Sequence, residues 1–124
     1  MFVKFASIAL ITMATLTATP VLAHGDAVAK HGGIAQMASD LSFELVPGKE
    51  SALIYIEDHG KPMAPTGMSG KLTILAGSKK SEAPLTVAGN KLEAVGVNLS
   101  KGNKVVASLK TSEQKPITVR FTVR

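Results

Sequence analysis

The sequence predicts an all-β protein, a small single-domain sandwich of about seven antiparallel strands, immunoglobulin-like first and Greek-key barrel second. Three observations carry this. Apolar residues alternate with polar ones at a period of two from Ala38 onward. Turn signals rich in glycine recur between the alternating stretches. No stretch beyond the leader carries a helical stripe of apolar residues.

The first stretch is a leader. In MFVKFASIALITMATLTATPVLA, Lys4 is the only charge, an apolar run follows, and small or apolar residues stand before Ala23. This is the pattern of a secretory signal peptide over residues 1–23 with removal after Ala23. Threonines interrupt the run, and it is short for a bilayer span, so no membrane span is expected after processing. No cysteine occurs, which excludes a lipidated cysteine, a disulfide framework and a thiolate metal site. Residues 24–37, beginning HGDAVAKHGG, read as a flexible lead-in segment, and residues 38–124 as the β-domain.

LSFELV alternates Leu41, Phe43 and Leu45 with Ser42 and Glu44, so Glu44 points away from the apolar face. SALIYIE is apolar on both faces from Ala52 to Ile56, as expected of a central strand covered on both sides. KLTILAG, PLTVAG, NKLEAVGV and KVVASLK follow. PITVRFTVR alternates most cleanly, with Ile117, Val119, Phe121 and Val123 on one face. Pro47-Gly48, Asp58-His59-Gly60, the stretch from Gly67 to Gly70, Gly77-Ser78, Gly89-Asn90 and Gly102-Asn103 mark turns. AGNK predicts a tight hairpin between Val87 and Leu92.

The charge of +5 does not point to nucleic acid. The lysines are scattered, tryptophan is absent, and few aromatics are available to stack on bases. Catalytic signatures are absent too: there is no G-x-S-x-G elbow, no H-E-x-x-H and no phosphate loop. Glu57 and Asp58 are adjacent at a strand end and diverge. The expectation is a protein that is not an enzyme.

The remaining chemistry lies in histidine and methionine. His24, His31 and His59 each precede glycine, and EDHGKPMAPTGMSG brings His59, Met63 and Met68 into one loop region. Imidazole suits copper, and thioether suits soft Cu(I) and, by the same softness, Ag(I). The five candidate ligands are therefore His24, His31, His59, Met63 and Met68, for a copper or silver ion. Removal of the leader after Ala23 would give His24 a free α-amine, which chelates together with its own imidazole. Glu44 joins only if the lead-in segment crosses its face. The rival readings are a turn role for His59, packing for Met63, Met68 and Met37, and an ordinary loose terminus for His24.

KHGG, then FELV, then a strand ending in EDHGKP resembles a class of small exported proteins of Gram-negative bacteria. The pattern is also similar to the extra β-domain of periplasmic adaptor subunits in heavy-metal efflux pumps. There, a His-Gly-Gly segment, an aromatic-Glu-Leu strand and a Gly-Pro-type turn recur in similar order. The matching positions are His31, Gly32, Gly33, Phe43, Glu44, Leu45, Asp58, Gly60 and Pro62, within residues 30–75, with a weaker match in VRFTVR. The helical hairpin, the lipoyl-like domain and dense histidine tracts are lacking. The resemblance implies a free-standing periplasmic β-domain with a heavy-metal role and with heavy-metal efflux or other envelope proteins as partners. The alternative is a metal-free module for protein–protein interaction in the envelope.

Overall fold

The structure, a computed structural model, describes residues 27–124. The leader, its cleavage point and His24 lie outside the described residues. Among the described residues there are nine strands and no helix: β1 Ile34–Ala38, β2 Leu41–Gly48, β3 Ser51–Asp58, β4 Lys61–Pro62, β5 Ser69–Ala76, β6 Lys79–Ala88, β7 Lys91–Val95, β8 Lys104–Lys110 and β9 Pro116–Thr122. No helix of the described residues is long and apolar enough to cross a membrane. The all-β expectation holds. Two strands beyond the expected set are β1, inside the segment read as flexible, and the short β4.

Every pairing is antiparallel, in the order β1-β2-β3-β7-β6-β5-β8-β9, with β4 on β3. Strands β5, β6 and β7 follow one another as hairpins, and β8 returns beside β5. That is a Greek key. Strand β6 binds the two halves together. It pairs with β5 as far as Leu85 and with β7 from Thr86 onward. The ends of the path, β1 and β9, approach within 8 Å at Cα without a ladder between them. The sheet is thus a nearly closed barrel with one seam.

Alternation explains the core. Phe43 and Leu45 of β2, Ala52, Ile54 and Ile56 of β3, Leu72 and Ile74 of β5, and Val105, Ala107 and Leu109 of β8 all point inward. Ile117, Val119 and Phe121 of β9 close the far side. Tight turns fix the register. Ser39 and Asp40 take φ of 49° and 63°, and His59 and Gly60 take 50° and 78°. Positive φ at both central residues is the type I′ geometry whose twist suits adjoining strands. The AGNK hairpin forms as expected, with Val87 opposite Leu92.

Strand β3 departs from expectation on its outer face. Ala52, Ile54 and Ile56 are buried, but Leu53 and Tyr55 are only half-buried. The strand is central in its ladder without being sealed on both sides. Its partial outer cover comes from the lead-in segment.

Candidate functional site

The outer face of β1–β2–β3 is ordered in rows. Ala35, Glu44 and Tyr55 lie abreast across the three strands, and Met37, Ser42 and Glu57 form the next row. Residues 30–33 fold back over this face and bury Glu44 to 4% exposure. A buried carboxylate needs donors, because an unpaired charge away from water is strongly unfavourable.

Four donors converge on Glu44. The backbone N–H of Lys30 donates to Oε1 at 2.9 Å, and that of Gly33 to Oε2 at 2.8 Å. The His31 N–H is shared between the two oxygens at 2.8 and 3.1 Å. The His31 ring adds Nδ1 at 2.9 Å from Oε1. An ionised carboxylate only accepts, so Nδ1 carries the proton. Burial pushes the Glu44 carboxyl up, but the bonds from the His31 ring and from the backbone of Lys30, Gly33 and His31 outweigh it. The net position is below the ordinary carboxylate value.

The sequence makes this arrangement possible through its two glycines. Gly32 has φ of 73°, a left-handed conformation that glycine adopts without a Cβ penalty. A Cβ on Gly33 would collide with the Leu45 carbonyl. The chain therefore turns at Gly32 and passes flat against β2 at Gly33, leaving the amides of 30, 31 and 33 aimed at one carboxylate.

Two further contacts tie the segment down. The His31 ring stacks on Tyr55 with centroids 3.7 Å apart and planes 7° from parallel. The Lys91 ammonium stands 6.0 Å from the Tyr55 centroid, the outer limit of a cation–π contact. Lys30 Nζ meets Glu57 at 2.5 Å and the Gly60 carbonyl at 3.1 Å, which joins the lead-in segment to the β3–β4 turn.

The expected loop ligands fall in different settings. His59 is the first central residue of its type I′ turn. Its side chain is 87% exposed, with Nδ1 2.6 Å from Asp58 Oδ1. Met68 belongs to the core at 7% exposure, and Met63 packs partly buried against that core. His59 is thus exposed on a turn, while Met68 lies in the core and Met63 against it. Met37, expected to pack, is 44% exposed on the outer row beside Glu44. Among the described residues, no three His, Asp or Glu side chains converge as a metal cage.

The segment does cross the Glu44 face, the condition set for Glu44 to add an oxygen ligand, and the Glu44 oxygens accept hydrogen bonds from its amides and from the His31 ring. Tyr55, Lys30 and Lys91 were not legible as partners of this corner. Tyr55 sits directly opposite Glu44, so the one available signal was the register of SALIYIE against LSFELV. No protein-family model matches the chain, and no curated protein and no solved structure matches it either.

Proposed function

We propose that the chain is an exported, non-catalytic periplasmic protein that binds or passes on a metal ion of the copper or silver type, with His31 as its anchored ligand. One observation carries this reading: the His31 ring is fixed by Glu44 through Nδ1 and by Tyr55 through its face, while its side chain stays 43% exposed. In the neutral ring, Nε2 is then the basic nitrogen, and no described residue hydrogen-bonds it. A carboxylate behind an imidazole orients ligating histidines and strengthens the outer nitrogen. Imidazole nitrogen suits copper.

The resemblance to β-domains of heavy-metal efflux adaptors supports the same reading, in which the partners are heavy-metal efflux or other envelope proteins. A single imidazole holds metal weakly. His24, upstream in the sequence, supplies the second imidazole and, after removal of the leader, an α-amine. Met63 and Met68 are assigned to packing.

The test is titration of residues 24–124 with Cu(II), and with Cu(I) against a competing chelator, followed by calorimetry. The expected result is one site that is lost in His31→Ala and retained in His59→Ala. Affinity no tighter than that of a free peptide covering residues 24–33 overturns the reading. The second reading, a metal-free interaction module, draws support from the open seam of the barrel.

A further inference from the structure

The two ends of the barrel differ in charge. The strand pairings bring the connections 48–51, 76–79 and 95–104 to one end. Gly96 N–H donates to the Glu50 carbonyl at 2.8 Å, and Gly102 N–H to the Val123 carbonyl at 2.7 Å, which ties the long connection to its neighbours. Lys49, Lys79, Lys80, Lys101 and Lys104 stand at this end, all exposed. Glu50 is the one acidic side chain on these connections, and Glu82, farther along β6, meets Lys80 at 3.8 Å.

The opposite end, with the turns at 39–40, 59–60, 89–90 and 111–115, is mixed. Asp40, Glu57, Asp58 and Glu113 are interspersed there with lysines, and Lys30 closes on Glu57 and Lys115 on Glu113. Charge there is nearly balanced, so the positive excess of the β-domain is concentrated at the first end.

Apolar side chains stand among the lysines of that first end. Leu75 points outward, opposite to the core residues Leu72 and Ile74, and is 37% exposed. Its cross-strand neighbours are Lys80 on β6 and Lys104 on β8, so one outward row reads Lys80, Leu75, Lys104. Val95, the last residue of β7, is 70% exposed.

Lysine stems lie along apolar surface and hold their ammonium groups at its rim. Lysines around exposed apolar side chains suit the boundary of an anionic bilayer, where phosphates meet the cations and the acyl margin covers the apolar tips. Nucleic acid suits the surface less well. No exposed aromatic side chain lies on these connections to stack on bases. A phosphate backbone also leaves Leu75 and Val95 uncovered.

We propose that this end of the barrel docks reversibly on the surface of a bilayer containing anionic phospholipids. Lys79, Lys80 and Lys104 meet the phosphates, and Leu75 and Val95 enter the headgroup boundary. The proposal does not rest on metal binding at His31.

The experiment is co-sedimentation of residues 24–124 with vesicles of equal parts phosphatidylglycerol and phosphatidylcholine, against vesicles of phosphatidylcholine alone. Binding to the anionic vesicles is expected, weakening with added salt. Each lysine at such a surface contributes roughly fivefold in affinity, so the triple variant Lys79→Gln, Lys80→Gln, Lys104→Gln is expected to bind at least about twentyfold more weakly. The charge-matched variant Lys61→Gln, Lys110→Gln, Lys115→Gln, at the other end, is expected to stay within about threefold of wild type. Leu75→Ser is expected to lose at least about threefold while keeping the same salt dependence. Amide NMR spectra report whether each variant is folded. Equal loss in the two triple variants overturns the proposal, since net charge alone then explains binding. So does equal binding to phosphatidylcholine vesicles, or complete displacement by poly-glutamate or duplex DNA at matched charge.

Discussion

Replacing Glu44 by Gln isolates the charge at the centre of the lead-in anchor while keeping its shape. In the native chain one carboxylate serves four donors: the amides of Lys30, His31 and Gly33 and the His31 ring. Gln offers one accepting oxygen and turns an NH₂ toward the donors on the other side. With the oxygen kept toward His31 N–H and Gly33 N–H, the NH₂ faces Lys30 N–H and His31 Nδ1. The histidine adapts by moving its proton to Nε2, so that Nδ1 accepts from the NH₂, but the Lys30 amide has no such remedy. Bonds to a charged group contribute roughly 1.5–3 kcal/mol each, and a stranded buried donor costs about 1–3 kcal/mol. With one donor stranded and the others weakened, the expected loss is about 2–3 kcal/mol. For a domain of this size that is a fall in Tm of roughly 10–20 °C. Urea unfolding of wild type and variant measures it, and amide exchange locates it in residues 30–38. A change below about 0.5 kcal/mol, with unchanged exchange in β1, would refute the claim that Glu44 pins the segment. The same proton shift predicts a metal affinity about 10–100-fold lower, since Nε2 is then protonated in the neutral ring.

Four further outcomes follow from the same structure. The folded-state carboxyl of Glu44 titrates below its ordinary value of 4.5, so its stabilisation is complete above that pH and is lost as pH falls through the lower folded value. The Tm gap between wild type and Glu44→Gln is therefore expected to close in acid, and a gap independent of pH would contradict it. Met68→Ala should lose about 3 kcal/mol in urea unfolding from the core cavity it leaves, while Met68→Leu stays within about 1.5 kcal/mol. Gly33→Ala should cost about 1–3 kcal/mol, because its Cβ forces the segment off the Leu45 carbonyl. His59→Ala, on an exposed turn, should move Tm little but lower hairpin preference, with Asn at the same position restoring it.

The strands were legible because each half-covered face alternates in the sequence. LSFELV and PITVRFTVR identify their inward residues directly. β1 was not legible: IAQMA is short, and its polar Gln36 interrupts the inward series at the seam edge. The site was partly legible. His31 and its glycines stood out by type, and Glu44 by its outward position. The anchor itself depends on a backbone that turns at Gly32 and places three amides on one carboxylate, and amides carry no residue-specific signature. His59 and Met68 illustrate the opposite limit. Residue type suggests ligands, while the turn at His59 and the core position of Met68 become visible only in the fold.

The seam also bears on how the chain reaches its native state. β1 and β9 meet across nearly the whole sequence, and β3 waits for β7 while β5 waits for β8. Contacts of such long sequence separation slow folding, since loop-closure entropy is lost before pairing is gained. A chain released amino end first holds an unfinished sheet until Pro116–Thr122 emerges. Its last act is to bring two unlaced edges side by side, so closure of the barrel waits on the last strand to be made.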